Sequence, residues 1–317
     1  MEDVLRAFGI TGAAISQKKL SGGHIHGTYR VETADGVYIA QKLHPTAFPD
    51  PAGLMERLAL VTDALRRQGE TTLHFYRTWT GSWLYDGWRV MDCIPGEVRE
   101  PDPEVIQAAG AAFGRFQAKL QGISLDARSI HDPARWFGLL HETVNDGISR
   151  DEATWGLADR LFRLERDACS LQHARLPERV LHGDTKLNNL LFAPGTNEPL
   201  AVIDLDTVGM GLAAYDFGDA VRSLHRNAEK LDTTILFGFA AGYLAGFSRL
   251  TDAEMDSLVP GVLTITAELA ARYLIDHMTG DRYFRNPDSL GRARSLTALA
   301  EDTAGRIPAL QTILHQL

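Results

Sequence analysis

Short apolar runs alternate with turn-forming residues through the first part of the chain, which is the pattern of a small antiparallel sheet. After a short helix predicted over 2–9, the pattern indicates a strand, a glycine-containing turn and a second strand over 13–31. The Ala-Asp-Gly sequence at 34–36 is typical of a hairpin turn, so a third strand is predicted over 37–43.

One amphipathic helix is predicted to interrupt these strands. It opens at Asp50-Pro51, because aspartate is a good N-cap and proline suits the first helical position, and Gly69 closes it. Two further short strands are predicted at 83–85 and 88–91, on either side of an Asp-Gly turn. The N-terminal part is therefore expected to be mostly β-structure with a single long helix.

After residue 100 the apolar spacing becomes helical. Asp102-Pro103 opens a helix that stops near Gly122, and another long helix is predicted from about 151 to 173. Two short apolar runs at 179–181 and 201–203 predict buried strands, and the chain is largely helical after them. Strands first, then helices around a small strand pair, predict an α+β protein.

The α+β layout predicts two lobes. A small, mostly β lobe with one helix is expected over 1–92, and a larger, mostly α lobe over 93–317. The break in pattern at Asp92-Cys93-Ile94-Pro95-Gly96 is the predicted linker. At 317 residues, 44% of them hydrophobic, the chain is long enough to give each lobe its own core.

Charge, apolar run length and cysteine content limit the expected partners and the expected location of the protein. The net charge is −9 and long Lys/Arg runs are missing from the sequence, so nucleic acid is not expected as a partner. The apolar stretch over 236–247 contains two glycines and is too short to cross a bilayer. The two cysteines and the acidic N-terminus argue against a disulfide framework and a signal peptide, so we expect a cytoplasmic protein. The sequence leaves the oligomeric state open.

Polar residues follow directly after each of the two predicted buried strands. The first strand is followed by His182-Gly183-Asp184 and, five residues after the aspartate, by Asn189; the second is followed by Asp204. Phosphoryl transfer from ATP needs a carboxylate to accept the proton of the acceptor hydroxyl, and oxygen ligands that hold Mg²⁺ against the phosphates. This spacing is that of a kinase catalytic loop and its metal-binding aspartate.

The stretch resembles the superfamily of aminoglycoside phosphotransferases and choline kinases, which are protein-kinase-like small-molecule kinases. The resemblance implies that Asp184 is the catalytic base and that Asn189 and Asp204 bind Mg²⁺. It also implies that Lys186 contacts the transferred phosphate and that His182 braces the loop. Asp216, at the start of the next helix, corresponds to a buried aspartate that ties down the loop backbone.

The same resemblance implies an ATP site in the N-terminal lobe. Gly22 and Gly23 lie in a glycine-rich turn whose backbone amides can approach phosphates. Backbone groups near Asp92 and Ile94 are expected to bind the adenine. Kinases carry a phosphate-binding lysine on the third strand, and here the sequence offers Gln41-Lys42. Their side chains point to opposite faces of a strand, so the sequence leaves open which one faces the nucleotide.

More of the chain is similar to N-acetylhexosamine 1-kinases, which phosphorylate the anomeric hydroxyl of N-acetylglucosamine and N-acetylgalactosamine. The similarity lies in GGHIHGTYRV, AFPDPAGLMERLALVTDAL, HGDTKLNNLLF, VIDLDTVGMGLAAYDFGDAVR and ARYLIDHMTGDRYF. It implies a sugar pocket to which the sequence offers five candidate residues: His24, Asp206, Arg272, Asp276 and Tyr283. Arg272 and Asp276 are one helical turn apart, so a surface salt bridge between them is the alternative interpretation.

Three other interpretations compete. Another small-molecule kinase of the superfamily would use the same loop on an aminoglycoside, choline or another sugar. AVIDLDTV also matches the haloacid-dehalogenase phosphatases, with Asp204 as nucleophile and Asp206 as acid/base, but that interpretation leaves HGDTKLNN unexplained. A kinase-like binding protein without catalysis is the third. The histidine pair at 24 and 26 lacks further ligands at zinc-site spacing.

Overall fold

The computed structural model describes residues 1–20, 27–147, 151–284 and 286–317. The chain folds into two compact units, one comprising Met1–Glu97 with Ala193–Gly195 and the other Val98–Phe192 with Thr196–Leu317. A small antiparallel sheet dominates the first unit and helices dominate the second. The predicted α+β class, with a small β lobe and a larger α lobe, is confirmed.

As far as it is described, the first unit is a four-stranded antiparallel sheet with two helices, its strands in the order β1-β2-β3-β4. Its elements are α1 (Glu2–Ala7), β1 (Ala14–Lys19), β2 (Gly27–Thr33), β3 (Gly36–Lys42), α2 (Pro51–Arg67) and β4 (Trp88–Asp92). The Asp50 side chain caps α2 by accepting from Gly53 N at 3.0 Å, as the sequence predicts. Trp83–Tyr85 is not a strand: within the described chain Tyr85 forms only an isolated bridge to Trp88 across the turn.

The sheet of the first unit has two distinct faces. The α1 face carries Val31, Tyr38, Ala40 and Val90, which pack with the apolar side chains of α1. The opposite face, here called the α2 face, carries Arg89, whose Nη1 lies 3.9 Å from the sulfur of Met55 on α2. Side chains alternate between the two faces along a strand. The register of β3 and β4 therefore shows on which face each residue of these two strands lies.

In its described residues, the second unit has seven helices and two short strand pairs. Its helices are α3 (Pro103–Lys119), α4 (Pro133–Asn145), α5 (Glu152–Ala168), α6 (Ala213–Leu224), α7 (Thr233–Gly246), α8 (Asp252–Met278) and α9 (Ser289–Leu314). The strands are β5 (Glu178–Leu181), β6 (Leu190–Phe192), β7 (Pro199–Val202) and β8 (Gly209–Leu212), paired antiparallel as β5-β8 and β6-β7. Short 3-10 turns follow α5, precede β6 and follow β7.

Glycines let the central helices of the second unit approach closely. A Cβ on Gly110 of α3 would lie 2.1 Å from the Phe239 oxygen of α7, and one on Gly242 of α7 would lie 1.9 Å from the Gln107 oxygen of α3. Helix α8 is long and apolar enough by composition to cross a membrane, but 78% of its most apolar window is buried inside the protein. It is accordingly the central core helix of this unit, against which α4, α5, α6 and α9 pack.

Candidate active site

The loop between β5 and β6 carries the residues that the sequence singles out. Strand β5 ends at Leu181, and the loop runs from His182 through Asp184 and Lys186 to Asn189 before β6 begins. Strand β7 pairs with β6 and leads directly to Asp204. The two strand pairs therefore deliver both polar segments to one side of the second unit, and the Ile203 amide bonds the Asn189 carbonyl at 2.9 Å.

Asp216 on α6 holds the start of this loop through backbone hydrogen bonds. Its carboxylate accepts from His182 N and Gly183 N, each at 2.8 Å, and from the Gln117 amide at 2.7 Å. Burial raises the pKa of Asp216 above its ordinary value, against the hydrogen bonds that favour its ionised form. The aspartate that the resemblance expected to tie down the loop backbone lies in contact with that backbone.

A second carboxylate on α6, which sequence reasoning missed, holds the middle of the loop. Asp219 accepts from Thr185 N at 2.8 Å and pairs with Arg222 at 2.7 Å. Burial alone would raise the pKa of Asp219, but the charge and hydrogen bond of Arg222, together with the charges of His131 and Lys186, outweigh it and lower the pKa. Its spacing of three from Asp216 places both on one helix face, which is a signal that the sequence does contain.

His182 is a positioning residue. Its side chain is completely buried, with ring centres 5.9 Å from Phe113 and 5.8 Å from Phe116. Nε2 donates to the Ile203 carbonyl at 2.9 Å, while Nδ1 accepts from Asp184 N at 3.2 Å. These partners require the neutral tautomer with the proton on Nε2. The ring thereby connects the Asp184 backbone to the strand that delivers Asp204.

Gly183 is required by the backbone of the loop. Its φ of +80° lies in the left-handed region, and a Cβ at this position would lie 2.7 Å from the Thr207 carbonyl oxygen. Thr207 itself donates from Oγ1 to the His182 carbonyl at 2.7 Å. The loop and the segment after β7 are thus packed backbone to backbone, which leaves no room for a side chain.

The Asp184 carboxylate is the centre of the site. Lys186 Nζ lies 2.7 Å from its Oδ2, and the Asn189 side-chain nitrogen donates to the same oxygen at 3.1 Å and to the Asp184 carbonyl at 2.8 Å. The Asp184 side chain is 22% exposed and that of Lys186 is 51% exposed. The carboxylate is therefore fixed in direction yet reachable by a substrate.

Asp204 has the geometry and the environment of a cation ligand. Its φ of +61° is left-handed, which is unusual for a residue other than glycine and turns the side chain out of the strand direction. Desolvation by the surrounding protein raises the pKa of Asp204, and the negative charges of Asp206 and Asp184 raise it further. A divalent cation would relieve this repulsion, so the donor set of Asp204 and the Asn189 amide oxygen fits Mg²⁺.

This donor set is small, as magnesium sites that include phosphate oxygens are. Within the described ranges the structure contains no group of three or more His, Cys, Asp or Glu side chains arranged to hold a metal ion by themselves. Asp206 lies in the 3-10 turn two residues after Asp204 and is partly buried.

The residues predicted to bind the nucleotide belong to the first unit. Gly22 and Gly23, and also His24 of the predicted sugar pocket, lie outside the described residues. Asp92 accepts from the Tyr76 hydroxyl at 2.6 Å, and its amide donates to the His74 carbonyl at 3.1 Å. The Ile94 carbonyl accepts from Gly96 N at 2.9 Å.

Gln41 and Lys42 lie on opposite faces of the sheet. Lys42 lies on the α1 face, where its ammonium pairs with the Asp86 carboxylate at 2.8 Å. Gln41 lies on the α2 face, and its amide oxygen accepts from Arg89 Nε at 2.9 Å. Sequence reasoning missed Arg89, because the residue belongs to another strand.

Lys42 pairs with Asp86 and not with Glu56 of α2. Glu56 instead accepts a hydrogen bond from the Trp83 indole N–H at 2.9 Å. Since Lys42 lies on the face of the sheet opposite to α2, the two charges cannot meet.

The structure brings the three sugar-pocket candidates at the end of α8 close together, with the Arg272 guanidinium 5.9 Å from the centre of the Tyr283 ring, but gives them different partners. Asp276 is buried and accepts from Tyr283 N at 2.7 Å and from Phe284 N at 3.0 Å, so it anchors the turn after the helix. Arg272 pairs with Glu268 one turn earlier, at 3.6 Å. The suggested Arg272–Asp276 salt bridge is therefore wrong, because Asp276 is bonded to backbone. Tyr283 is 70% exposed.

Arg272 belongs to a buried polar cluster that sequence reasoning missed. Its guanidinium lies 4.8 Å from the centre of the Trp136 ring, and its partner Glu268 faces His131 Nδ1 at 3.4 Å. Three buried atoms of this cluster have no hydrogen-bond partner in the part of the chain that is described: His131 Nε2, Glu268 Oε2 and Arg272 Nε. Such atoms can bind a polar ligand or water.

Comparison with known families matches residues 16–255, more than half of the chain, to the family described as the phosphotransferase enzyme family. The match includes all of the loop from His182 to Asn189, together with Asp204 and α6. It ends near the start of α8.

Solved structures share the fold at low sequence identity. An aminoglycoside phosphotransferase from Alicyclobacillus acidocaldarius has a TM-score of 0.70 at 16% identity, covering 100% of this chain and 97% of that one. The choline kinase LicA from Streptococcus pneumoniae has a TM-score of 0.64 at 13% identity, covering 96% and 98%. An amicoumacin kinase, solved in complex with AMP-PNP, Ca²⁺ and Ami, has a TM-score of 0.60 at 13% identity, covering 95% and 88%. The fold is thus kinase-like.

Proposed function

We propose that this chain, which belongs to the phosphotransferase enzyme family, transfers a phosphoryl group from Mg·ATP to the anomeric hydroxyl of an N-acetylhexosamine. One observation carries the proposal: the Asp184 carboxylate is oriented by Lys186 at 2.7 Å and by Asn189 at 3.1 Å while it stays open to solvent. A carboxylate held in this way can orient an acceptor hydroxyl and receive its proton.

The roles of the loop residues follow from their positions. Asp184 accepts the proton of the acceptor hydroxyl as the hydroxyl oxygen attacks the terminal phosphorus of ATP, and the bond to the β-phosphate oxygen breaks to release ADP. The half-exposed Lys186 ammonium offsets negative charge on the transferred group. His182, which is buried, holds the loop backbone and does not contact substrate.

Asn189 and Asp204 are the residues that would hold Mg²⁺. Bound there with the nucleotide, the cation would neutralise phosphate charge and orient the terminal phosphate. The amicoumacin kinase of the same fold was solved with AMP-PNP and Ca²⁺. That complex supports the use of a nucleotide and a divalent cation by this chain.

The acceptor class is proposed from the resemblance to N-acetylhexosamine 1-kinases and from the polar cluster beside α8. His131, Glu268 and Arg272 offer both donor and acceptor atoms that lack partners within the described chain. A neutral ligand rich in hydroxyl and amide groups can satisfy both kinds. The Trp136 ring, against which Arg272 already packs, adds an apolar surface of the kind that sugar rings stack on.

The proposal is tested by incubating the full chain with Mg·ATP and a panel of acceptors, and following the products by ³¹P NMR. The panel contains N-acetylglucosamine, N-acetylgalactosamine, glucose, galactose, choline and kanamycin. We expect a new anomeric phosphate on an N-acetylhexosamine, with loss of its reducing-end reactivity. Phosphate transfer to choline or kanamycin alone would refute the sugar assignment and retain the kinase.

A further inference from the structure

Two cations on neighbouring strands of the first unit, the half-buried Lys42 of β3 and the buried Arg89 of β4, lie on opposite faces of the sheet. A kinase-like fold binds nucleotide phosphates with a strand cation on the face that its helix packs against. In this chain that helix is α2, which contacts the sheet through Met55. The buried cation on the α2 face is Arg89 of β4, directly paired in register with Gln41 of β3. Arg30 of β2 lies on the same face but is half-buried and pairs with Glu32 at 3.2 Å.

Lys42 is held on the α1 face by its contacts. Its ammonium pairs with Asp86 and also bonds the Asp86 carbonyl, and it lies 5.7 Å from the centre of the Trp88 ring. These contacts hold it at the turn before β4, on the side of the sheet that α1 covers. In this position the Lys42 side chain points away from the α2 face.

Arg89 has the setting of a preorganised anion-binding group. Its side chain is only 3% exposed, and the guanidinium lies between the Phe75 ring at 5.5 Å and the Met55 sulfur at 3.9 Å. An ion pair formed in such surroundings is screened much less than one in water. The planar guanidinium also presents its donors in a fork that suits phosphate oxygens.

Gln41 fixes the orientation of the Arg89 guanidinium. Its amide oxygen accepts from Arg89 Nε at 2.9 Å, and its amide nitrogen donates to Thr28 Oγ1 at 3.1 Å. Thr28 is the second residue of β2, directly after the glycine-rich segment of the sequence that ends at Gly27. The Gln41–Arg89 pair therefore lies beside the first residues of β2.

We propose that Arg89, oriented by Gln41, binds the phosphate groups of a nucleoside di- or triphosphate in the place of a strand lysine. This inference rests on the proposed function, since it deepens the same nucleotide site. It assigns Gln41 as a positioning residue and gives Lys42 a structural role on the α1 face.

The test measures binding of ADP and of adenosine to the full chain by titration calorimetry, which needs no acceptor. Replacing Arg89 by Met is expected to weaken ADP binding by about 100-fold, and Arg89→Lys by about 10-fold, since a lysine keeps the charge and loses the fork. Adenosine affinity should stay unchanged in both variants, because adenosine carries no phosphate. Gln41→Leu should weaken ADP binding by several-fold, because it removes the orienting bond.

Two further variants separate this effect from general loss of charge. Arg6→Gln removes an exposed cation of α1 that pairs with Asp3 and should leave ADP affinity unchanged. Lys42→Met is the rival variant, and its effect on ADP affinity should be far smaller than that of Arg89→Lys. Circular dichroism melting checks that each variant is folded; if Arg89→Met fails to fold, Arg89→Lys and Gln41→Leu carry the test.

The outcomes are distinct. Equal ADP affinity in wild type, Arg89→Lys and Gln41→Leu would overturn the assignment of Arg89, and so would a larger loss in Lys42→Met. Equal losses for ADP and adenosine would show a role in folding alone and would also overturn it. If the wild-type chain binds neither ADP nor ATP, the proposed function itself fails.

Discussion

Individual carboxylates in the second unit have different tasks because their surroundings differ. Asp216 and Asp219 are buried, and each accepts hydrogen bonds from backbone amides of the catalytic loop in addition to its side-chain partner, Gln117 or Arg222. Asp184 is partly open and faces a lysine and an amide. Enclosed carboxylates fix the loop, and the open one is available for chemistry.

Glu254 shows how one residue links the strand before the loop to the core helix. Its side chain accepts from Arg179 of β5 at 2.8 and 2.9 Å and from Thr251 N at 2.9 Å, where it completes the capping box of α8. Burial alone would raise the pKa of Glu254, but the hydrogen bonds from Arg179 and Thr251 more than offset it and lower the pKa.

This shift predicts a pH-dependent contribution to stability. A depressed carboxyl pKa stabilises the fold above the ordinary value of 4.5, and the contribution is lost as pH falls through the folded-state pKa. We expect Glu254→Gln to lower the free energy of unfolding by about 1.5–3 kcal/mol at pH 7, because charge-assisted hydrogen bonds are lost, and by progressively less below pH 4.5. Urea unfolding at a series of pH values measures this.

Glu198→Gln, at an exposed position, is the matched control and should change the urea midpoint little at any pH. A Glu254→Gln penalty that stays constant from pH 7 to pH 3.5 would contradict the assigned ion pair.

At the scale of elements, the close crossing of α3 and α7 lies in the hydrophobic core of the second unit. Glycines at 110 and 114 of α3 meet the backbone of α7, and those at 242 and 246 of α7 meet the backbone of α3. The interlocked glycines allow backbone contact, and Tyr243 from α7 reaches Gln117, which in turn bonds Asp216. Helix packing is thereby connected to the catalytic loop.

Two glycines of α7 offer a matched pair of variants. A Cβ on Gly242 would lie 1.9 Å from a backbone oxygen of α3, whereas one on Gly238 would meet only the Ile106 side chain at 3.6 Å. Gly242→Ala is expected to destabilise the fold by about 1–3 kcal/mol through overpacking. Gly238→Ala should be neutral or stabilising by up to about 1 kcal/mol, because alanine favours helix.

Thermal unfolding followed by circular dichroism compares the two alanine variants of α7. Equal melting temperatures for both would mean that the close crossing of α3 and α7 does not limit the packing of this unit.

At the scale of the whole molecule, the sequence predicts the features whose residues lie close to one another along the chain. The loop residues and Asp204 fall within one short stretch, so spacing alone identifies them. Caps such as Asp50 and Asp102 likewise act on residues three positions away, and both helices begin where predicted.

The features that the sequence could not predict depend on contacts between residues that are far apart along the chain. The partner of Gln41 lies 48 positions away, and only the strand register shows that Arg89 shares its face. Asp276 looks like a partner of Arg272 by helical spacing, but its oxygens are taken by the backbone of a turn that periodicity does not describe. His131 and Glu268 meet across 137 positions.

The most direct test of the central claim is Asp184→Asn, assayed for phosphoryl transfer with the best acceptor of the panel and for ADP binding by calorimetry. Asparagine keeps the shape of the side chain and removes its ability to accept a proton. We expect the turnover number to fall by about 10²–10⁴-fold or more, with ADP affinity and melting temperature close to wild type. Turnover within tenfold of wild type would contradict the assignment of Asp184 as the catalytic base.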